Sequence, residues 1–362
     1  MKSARVLKWI GVLLLLVVVA GAAGAWQMQQ VKRAREHRRK WEPIVMPETV
    51  ARVPSTWSAQ TLAQRLKKSG KVRDADAFLE AAQQVGLTRV AEGGYKLPAK
   101  AGPLDLAKVF KQPPTLVKVT FPEGWTAAKM AQRLAANNFK AADEFKRLAY
   151  PANSLISPWE GRLFPDTYLL PHQGSGQQLL SRMHDRFKEV TARLPKTLPH
   201  AAENKALTLA QVVTLASLVE RETYVDAERP LVAGVLLNRL RQGMRLQCDA
   251  SVQYARERAQ ASGVLDAGHK ERLLYRDLEI ESPYNTYRNA GLPPGPICNP
   301  GQAALQAAAA PRASEYLFYV MSPKLKRHRF AKTFDEHRHN IALAKAEATA
   351  LEARDNAPTA TG

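Results

Sequence analysis

The sequence predicts an α+β protein with a single N-terminal transmembrane helix, a small α/β unit and a larger mixed α/β domain. Three observations carry this expectation. Residues 9–26 form an uncharged apolar run, a strand–helix–helix pattern occurs twice between residues 48 and 148, and periodic helices dominate from residue 175 onward. At 362 residues the chain is long enough for two or three units with cores of their own, and 45% hydrophobic residues exclude global disorder.

Lys2, Arg5 and Lys8 precede WIGVLLLLVVVAGAAGAW, an eighteen-residue run at the lower edge of the membrane-span range. Trp9 and Trp26 sit at its ends, where aromatic rings favour the interface. Residues 1–8 read as a cytoplasmic tail, 9–26 as the span and 27–47 as a basic juxtamembrane linker beside inner membrane lipids. Cleavage as a signal peptide is the competing reading, through Ala23-Gly24-Ala25. Residues 1–40 hold nine basic residues against one acid, +8 of the formal +20. Six of the nine follow the span, so charge counting alone would keep the C-terminal flank inside. A basic body suits a polyanion, whether nucleic acid, anionic lipid or acidic cell-wall polymer. The chain lacks zinc-finger spacing and a recognition-helix motif, which argues against nucleic acid. Cys248 and Cys298 allow one bridge, and two unrelated thiols fit equally well.

Trp57-Ser58-Ala59-Gln60-Thr61-Leu62-Ala63-Gln64-Arg65-Leu66 corresponds to Trp125-Thr126-Ala127-Ala128-Lys129-Met130-Ala131-Gln132-Arg133-Leu134. Ser58 and Thr126 are placed to cap the first turn of a helix, and Leu62/Leu66 and Met130/Leu134 share a face at a spacing of four. Second helices are expected over 74–85 and 141–148, with strands near 48–53 and 116–121. These assignments give one small unit over 48–112 and another over 113–155. The stretch Trp159 to Tyr168, rich in Gly, Pro and aromatics, reads as a rigid loop.

Helices follow over 175–194, 207–223 and 231–242, a strand over 316–321, and a helix from Thr333; residues 346–362 are expected to form a flexible tail. The segment 207–223 carries the widest apolar stripe, and Glu220 falls inside it between Leu209 and Val213 on a helical wheel. Glu222 lands at the opposite margin, while Arg221 points away with Thr214 and Ser217. A carboxyl group in an apolar stripe loses hydration and tends to keep its proton, as the general acid of glycosidic cleavage requires. A buried ion pair, with Arg239 for example, is the structural alternative. The loop Ser282 to Ile297 combines prolines and glycines with Tyr284, Asn285, Tyr287 and Arg288, groups suited to stacking on sugars and binding their polar substituents. A purely structural Pro-Gly loop fits the same composition. Asn238, Asp249 and Glu222 complete the candidate substrate-binding set. His337 and His339, two apart on a helix, do not face a common metal, and the chain carries no nucleotide loop or serine-nucleophile elbow; no metal or cofactor is expected.

Several stretches in order resemble the YceG-like family of endolytic murein transglycosylases: EGRLFPDTY at 160–168, LASLVERET at 215–223, LLNRL at 236–240, CDASVQY at 248–254, SPYNTYRNAGLPPGPICNPG at 282–301, YLFYV at 316–320 and HRFAKTFDEH at 328–337. The resemblance implies a catalytic domain over 156–345 with Glu220 as the catalytic glutamate. It implies cleavage of the MurNAc-GlcNAc β-1,4 bond within peptidoglycan glycan strands, leaving 1,6-anhydromuramic ends and ending strand growth, with peptidoglycan synthases as partners. It also implies a LysM-like unit over 48–112 and a single-pass inner-membrane protein whose catalytic domain lies in the periplasm, which decides the orientation that charge leaves open. Arg162, Cys248 and Ala250 depart from the family pattern, where an aromatic residue, a small hydroxyl residue and a proline are usual.

Overall fold

The computed structural model describes residues 23–46, 49–151, 154, 156–201, 205–261 and 273–355. They belong to two units divided between Lys118 and Val119. In the first unit, residues 23–41 are helical (α1). Strand β1 (Ile44–Val45) precedes β2 (Thr49–Val53) and β3 (Trp57–Ser58), and helices α2 (Ala59–Lys68) and α3 (Ala75–Gln84) follow. Next come β4 (Arg89–Val90), β5 (Gly93–Leu97), β6 (Lys100–Ala101) and α4 (Pro103–Lys111). Three antiparallel ladders result, β1 with β6, β2 with β5 and β3 with β4. Ser58 accepts the Thr61 N–H and Asp74 those of Asp76 and Ala77, so each helix starts where a side chain satisfies orphan donors. Leu62, Leu66, Phe78, Tyr95 and Phe110 fill the core, the last two with ring centroids 4.8 Å apart.

Two expectations are corrected here. Among the described residues no helix is long and apolar enough to cross a membrane. The expected span over 9–26 lies outside the described residues except for 23–26, and those four are helical in continuity with Lys32, Arg33, Arg35, Arg38 and Arg39. With no membrane-crossing helix among the described residues, the transmembrane, inner-membrane and periplasmic placement is withdrawn. So is the LysM-like label, because three helices and three short ladders share one core and nothing in them isolates such a module.

Strand β7 (Leu116–Thr120) spans the division, and Leu116 pairs with Gly94 in the first unit. The second unit continues with α5 (Ala127–Ala136), α6 (Ala142–Ala149), β8 (Thr167–Pro171) and α7 (Gly176–Thr191). After them come α8 (Leu209–Glu222), α9 (Arg229–Arg241), α10 (Asp249–Ala261), α11 (Gln302–Ala309), the hairpin β9–β10 (Phe318–Ser322 and Arg327–Ala331) and α12 (Phe334–Asp355). The repeat read in the sequence reappears as geometry. Thr126 caps α5 as Ser58 caps α2, and Arg133 lies 4.7 Å from the Trp125 ring centroid as Arg65 lies 5.7 Å from that of Trp57. Helix α12 runs to Asp355, so the first ten residues of the expected tail are helical; residues 356–362 lie outside the described residues.

Helix α8 is the axis of this unit. Thr208 and Gln211 close a capping box at its start, and α9, α10 and α11 pack around it. Val212, Val213, Leu215, Leu218 and Val219 are all buried, each contributing roughly 1.5–3 kcal/mol of apolar burial. The expected polar face is buried as well. Thr214 donates to the Ala210 carbonyl and Ser217 to the Thr214 carbonyl, so both hydroxyls are satisfied within the helix and the loop from Leu292 to Asn299 can cover them. Leu209, expected in the apolar stripe, is exposed instead.

Candidate active site

Glu220 sits in the last turn of α8, 7% exposed. Its Oε1 lies 2.9 Å from Nη1 of Arg229, and its Oε2 accepts the Gly301 N–H at 2.9 Å. Arg229 opens α9, and its Nε donates to Asp226 at 2.9 Å. The carboxylate is therefore held by an ion pair and a backbone donor, rather than by the apolar wall that the helical wheel suggests. A wheel reports which stripe a residue belongs to, but not the charged neighbours that other helices bring to it. Arg239, the partner considered in the sequence, is engaged elsewhere: it donates to the carbonyls of Leu317 and Leu246 at 2.6 and 2.8 Å and lies over the Phe318 ring.

A second carboxylate, not identified from sequence, faces this one. The Gly124 N–H donates to the Asn299 carbonyl at 3.0 Å, and the Asn299 N–H returns to that of Trp125 at 2.9 Å. This exchange holds segment 123–125 against segment 299–301. Gly124 adopts φ +74°, which a side chain would strain, and a Cβ there would come within 3.5 Å of Glu220 Cγ. A Cβ on Gly301 would overlap the carboxyl group of Glu123. Gly301 thus touches both acids, through its N–H and through its bare Cα. Burial of its carboxyl end raises the pKa of Glu123, the Glu220 charge raises it further, and Arg229 and the Gln302 N–H oppose the rise. Glu220 is buried, whereas residue 123 as a whole is exposed. A signal for it does exist in the sequence. When the repeats are aligned through Pro54 and Pro122, Ser55-Thr56 stands where the second repeat carries Glu123-Gly124.

Below the pair lies a buried clasp. Glu160, 2% exposed, accepts from the Ala127 N–H at 3.0 Å, from Asn299 Nδ2 at 2.9 Å and from the Tyr254 hydroxyl at 3.4 Å. Burial outweighs these donors and pushes its pKa up to about 8. Asn299, fully buried, also accepts the Leu163 N–H at 2.9 Å and donates to the Trp125 carbonyl at 3.0 Å. The loop at 157–163 is anchored through Glu160 and the Leu163 N–H.

The remaining candidates divide into two groups. Glu222, Asp249 and Tyr287 come together: the Tyr287 hydroxyl donates to Asp249 at 2.6 Å, and the Tyr319 hydroxyl donates to Glu222 at 2.9 Å. Glu222 is half-buried, but its carboxyl end is walled in; burial lifts its pKa to about 7, helped by the Asp249 charge and opposed by Tyr319, Cys248 and Arg239. The others are committed to holding loops. Asn238 donates to the Ser314 and Tyr316 carbonyls, and Asn285 to those of Leu278 and Ile280. Tyr284, 1% exposed, packs edge-on against Tyr254, while exposed Arg288 donates to the Glu279 carbonyl. Cys248 and Cys298 are free buried thiols with separate partners, the carbonyls of Leu246 and Ser217.

A model of the YceG-like family matches residues 51–343. The chain belongs to that family. It is 30% identical over 310 residues to an endolytic murein transglycosylase of Bacillus subtilis, covering 79% of this chain and 81% of that protein. It is 28% identical over 323 residues to an endolytic murein transglycosylase of Streptococcus pneumoniae, covering 80% of this chain and 57% of that one. Among solved structures, a YceG-like protein of Listeria monocytogenes superposes with a TM-score of 0.51 at 27% identity, covering 82% of this chain and 98% of that one.

Proposed function

We propose that the chain is an endolytic transglycosylase of peptidoglycan, cutting the MurNAc-GlcNAc β-1,4 bond within glycan strands and leaving 1,6-anhydroMurNAc ends. Such cleavage ends the growth of a strand, and the synthases that make the strands are the partners it would act beside. The similarity over most of the chain to endolytic murein transglycosylases supports the class. The observation that carries the chemistry is Glu220, almost fully buried yet held at a junction of Arg229 and the Gly301 N–H.

In this reading the muramyl C6 hydroxyl attacks its own anomeric carbon while the bond to the departing oxygen breaks. Glu220 gives a proton to the departing oxygen, and its carboxylate then takes the proton of the C6 hydroxyl, so the proton count is restored while the carboxylate faces the positive charge that develops on the ring. The nucleophile belongs to the substrate, so its approach costs little entropy and no activated water is needed. Arg229 holds the carboxylate in place for that step. Asp249, Tyr287, Glu222 and Arg288 are the polar groups offered to the sugars and stem substituents, and Asn238, Tyr284 and Asn285 fix the loops that present them.

The Arg229 ion pair also favours a second reading, a noncatalytic glycan-binding scaffold in which Glu220 is structural. Incubation with isolated peptidoglycan strands and mass analysis of the products separates the two. The enzyme releases shorter strands with anhydro ends, and Glu220→Gln keeps its fold and its strand binding while losing about 10²–10⁴-fold in product formation. Full turnover by that variant would remove Glu220 from the mechanism, and binding without any turnover by the unmodified protein would establish the scaffold.

A further inference from the structure

We propose that Glu123 is a second catalytic carboxylate, the acid that protonates the departing oxygen while Glu220 serves as the base. The inference rests on the transglycosylase reading and divides between two groups the proton transfers that one glutamate would otherwise perform alone.

Four observations carry it. Gly301 lies between the two acids, bonded by its N–H to Glu220 and abutted at its Cα by the Glu123 carboxyl group. The paired segments 123–125 and 299–301 hold that arrangement in place. Arg229, whose side chain is 6% exposed, holds Nη1 2.9 Å from Glu220 Oε1, and its charge also acts on Glu123. A buried cation paired with one acid therefore stands at the junction beside the other. Finally, the fold of the repeat does not need Glu123. The first repeat makes the same helix cap and the same Trp–Arg stack with Ser55 and Thr56 in place of Glu123 and Gly124.

The two carboxyl groups have different surroundings, which is how paired acids come to hold different protonation states. Glu220 is paired with Arg229, whereas the pKa of Glu123 is raised by burial of its carboxyl end and by the Glu220 charge. The step balances. The bond from the anomeric carbon to the GlcNAc O4 breaks and O4 takes the Glu123 proton. The C6 oxygen bonds to the anomeric carbon and gives its proton to Glu220. After release, the proton on Glu220 passes to Glu123 by way of solvent, and the starting state is restored.

The test follows the release of anhydro ends from isolated strands by the full chain across pH. An acid must carry its proton, so turnover falls as pH rises through the titration of Glu123. Glu123→Gln should lower turnover about 10²–10⁴-fold, leave strand binding and the melting curve unchanged, and abolish that alkaline limb. Glu123→Asp should restore part of the rate with the limb displaced. Turnover by Glu123→Gln within about threefold of the unmodified protein, on an unchanged alkaline limb, would overturn the proposal and leave the transglycosylase reading standing. Absence of anhydro ends from the unmodified protein would overturn both. Should Glu123→Gln fail to fold, an unmoved alkaline limb in Glu123→Asp overturns the role of Glu123.

Discussion

At Gly301 a single missing methyl group decides how two acids sit. Its φ of −76° is open to any residue, so the constraint is space and not backbone conformation. A Cβ there would meet the carboxyl group of Glu123, the movable end of a side chain, which can swing aside. Gly301→Ala should therefore fold, losing about 1 kcal/mol because alanine is a poor N-cap for α11, while turnover falls about tenfold or more as Glu123 is displaced. Denaturant melts and product assays on one preparation check both halves; unchanged turnover would show that the position of Glu123 does not matter. At this scale the sequence was informative about Glu220 and less so about its neighbours. Its place in an apolar stripe was readable from spacing, whereas Arg229 and Glu123 reach it from nine residues ahead and nearly a hundred behind.

Helix α8 shows the same division at the scale of an element. Its cap, length and apolar stripe follow from local pattern, and it forms close to where that pattern places it. Thr214 and Ser217, which point away from the apolar stripe, are buried all the same, because a wheel cannot foresee a covering loop. Ser217 accepts the buried Ile297 N–H at 3.0 Å while donating within its own helix. Ser217→Ala should leave that N–H unsatisfied and cost about 1–3 kcal/mol, measured by urea unfolding. Because the covering loop leads directly to Gly301, turnover should fall as well. Stability equal to that of the parent would mean that other contacts hold the loop. Helices α10 and α11 escaped the sequence reading for a related reason. Gln302–Ala309 is a run of alanines with little contrast between faces, and it is helical because it packs closely on α8 and α9.

Across the second unit as a whole, Glu160 ties α5, the loop at 157–163, α10 and Asn299 into one buried network. Its pKa rises on folding from the ordinary 4.5 to about 8, so the folded state binds its proton more tightly than the unfolded chain does. Its contribution to stability is fully present below pH 4.5, declines as pH rises, and is lost above about 8, with a span on the order of a few kcal/mol. Glu160→Gln should flatten this decline between pH 5 and 8 in denaturant titrations. A variant that keeps the parent's slope would assign the pH dependence to another group.

By itself the sequence determined the family, the repeated strand–helix–helix unit with its capping residues, and the helix that presents Glu220. All of these depend on short-range periodicity, capping residues or long ordered runs of motif. The partners of that glutamate, the buried state of Tyr284 and Asn285 and the enclosure of the polar side of α8 were decided only by the tertiary structure. These depend on contacts between segments tens to over a hundred residues apart, and a hydrogen bond or ion pair forms according to proximity in space, which no local pattern encodes.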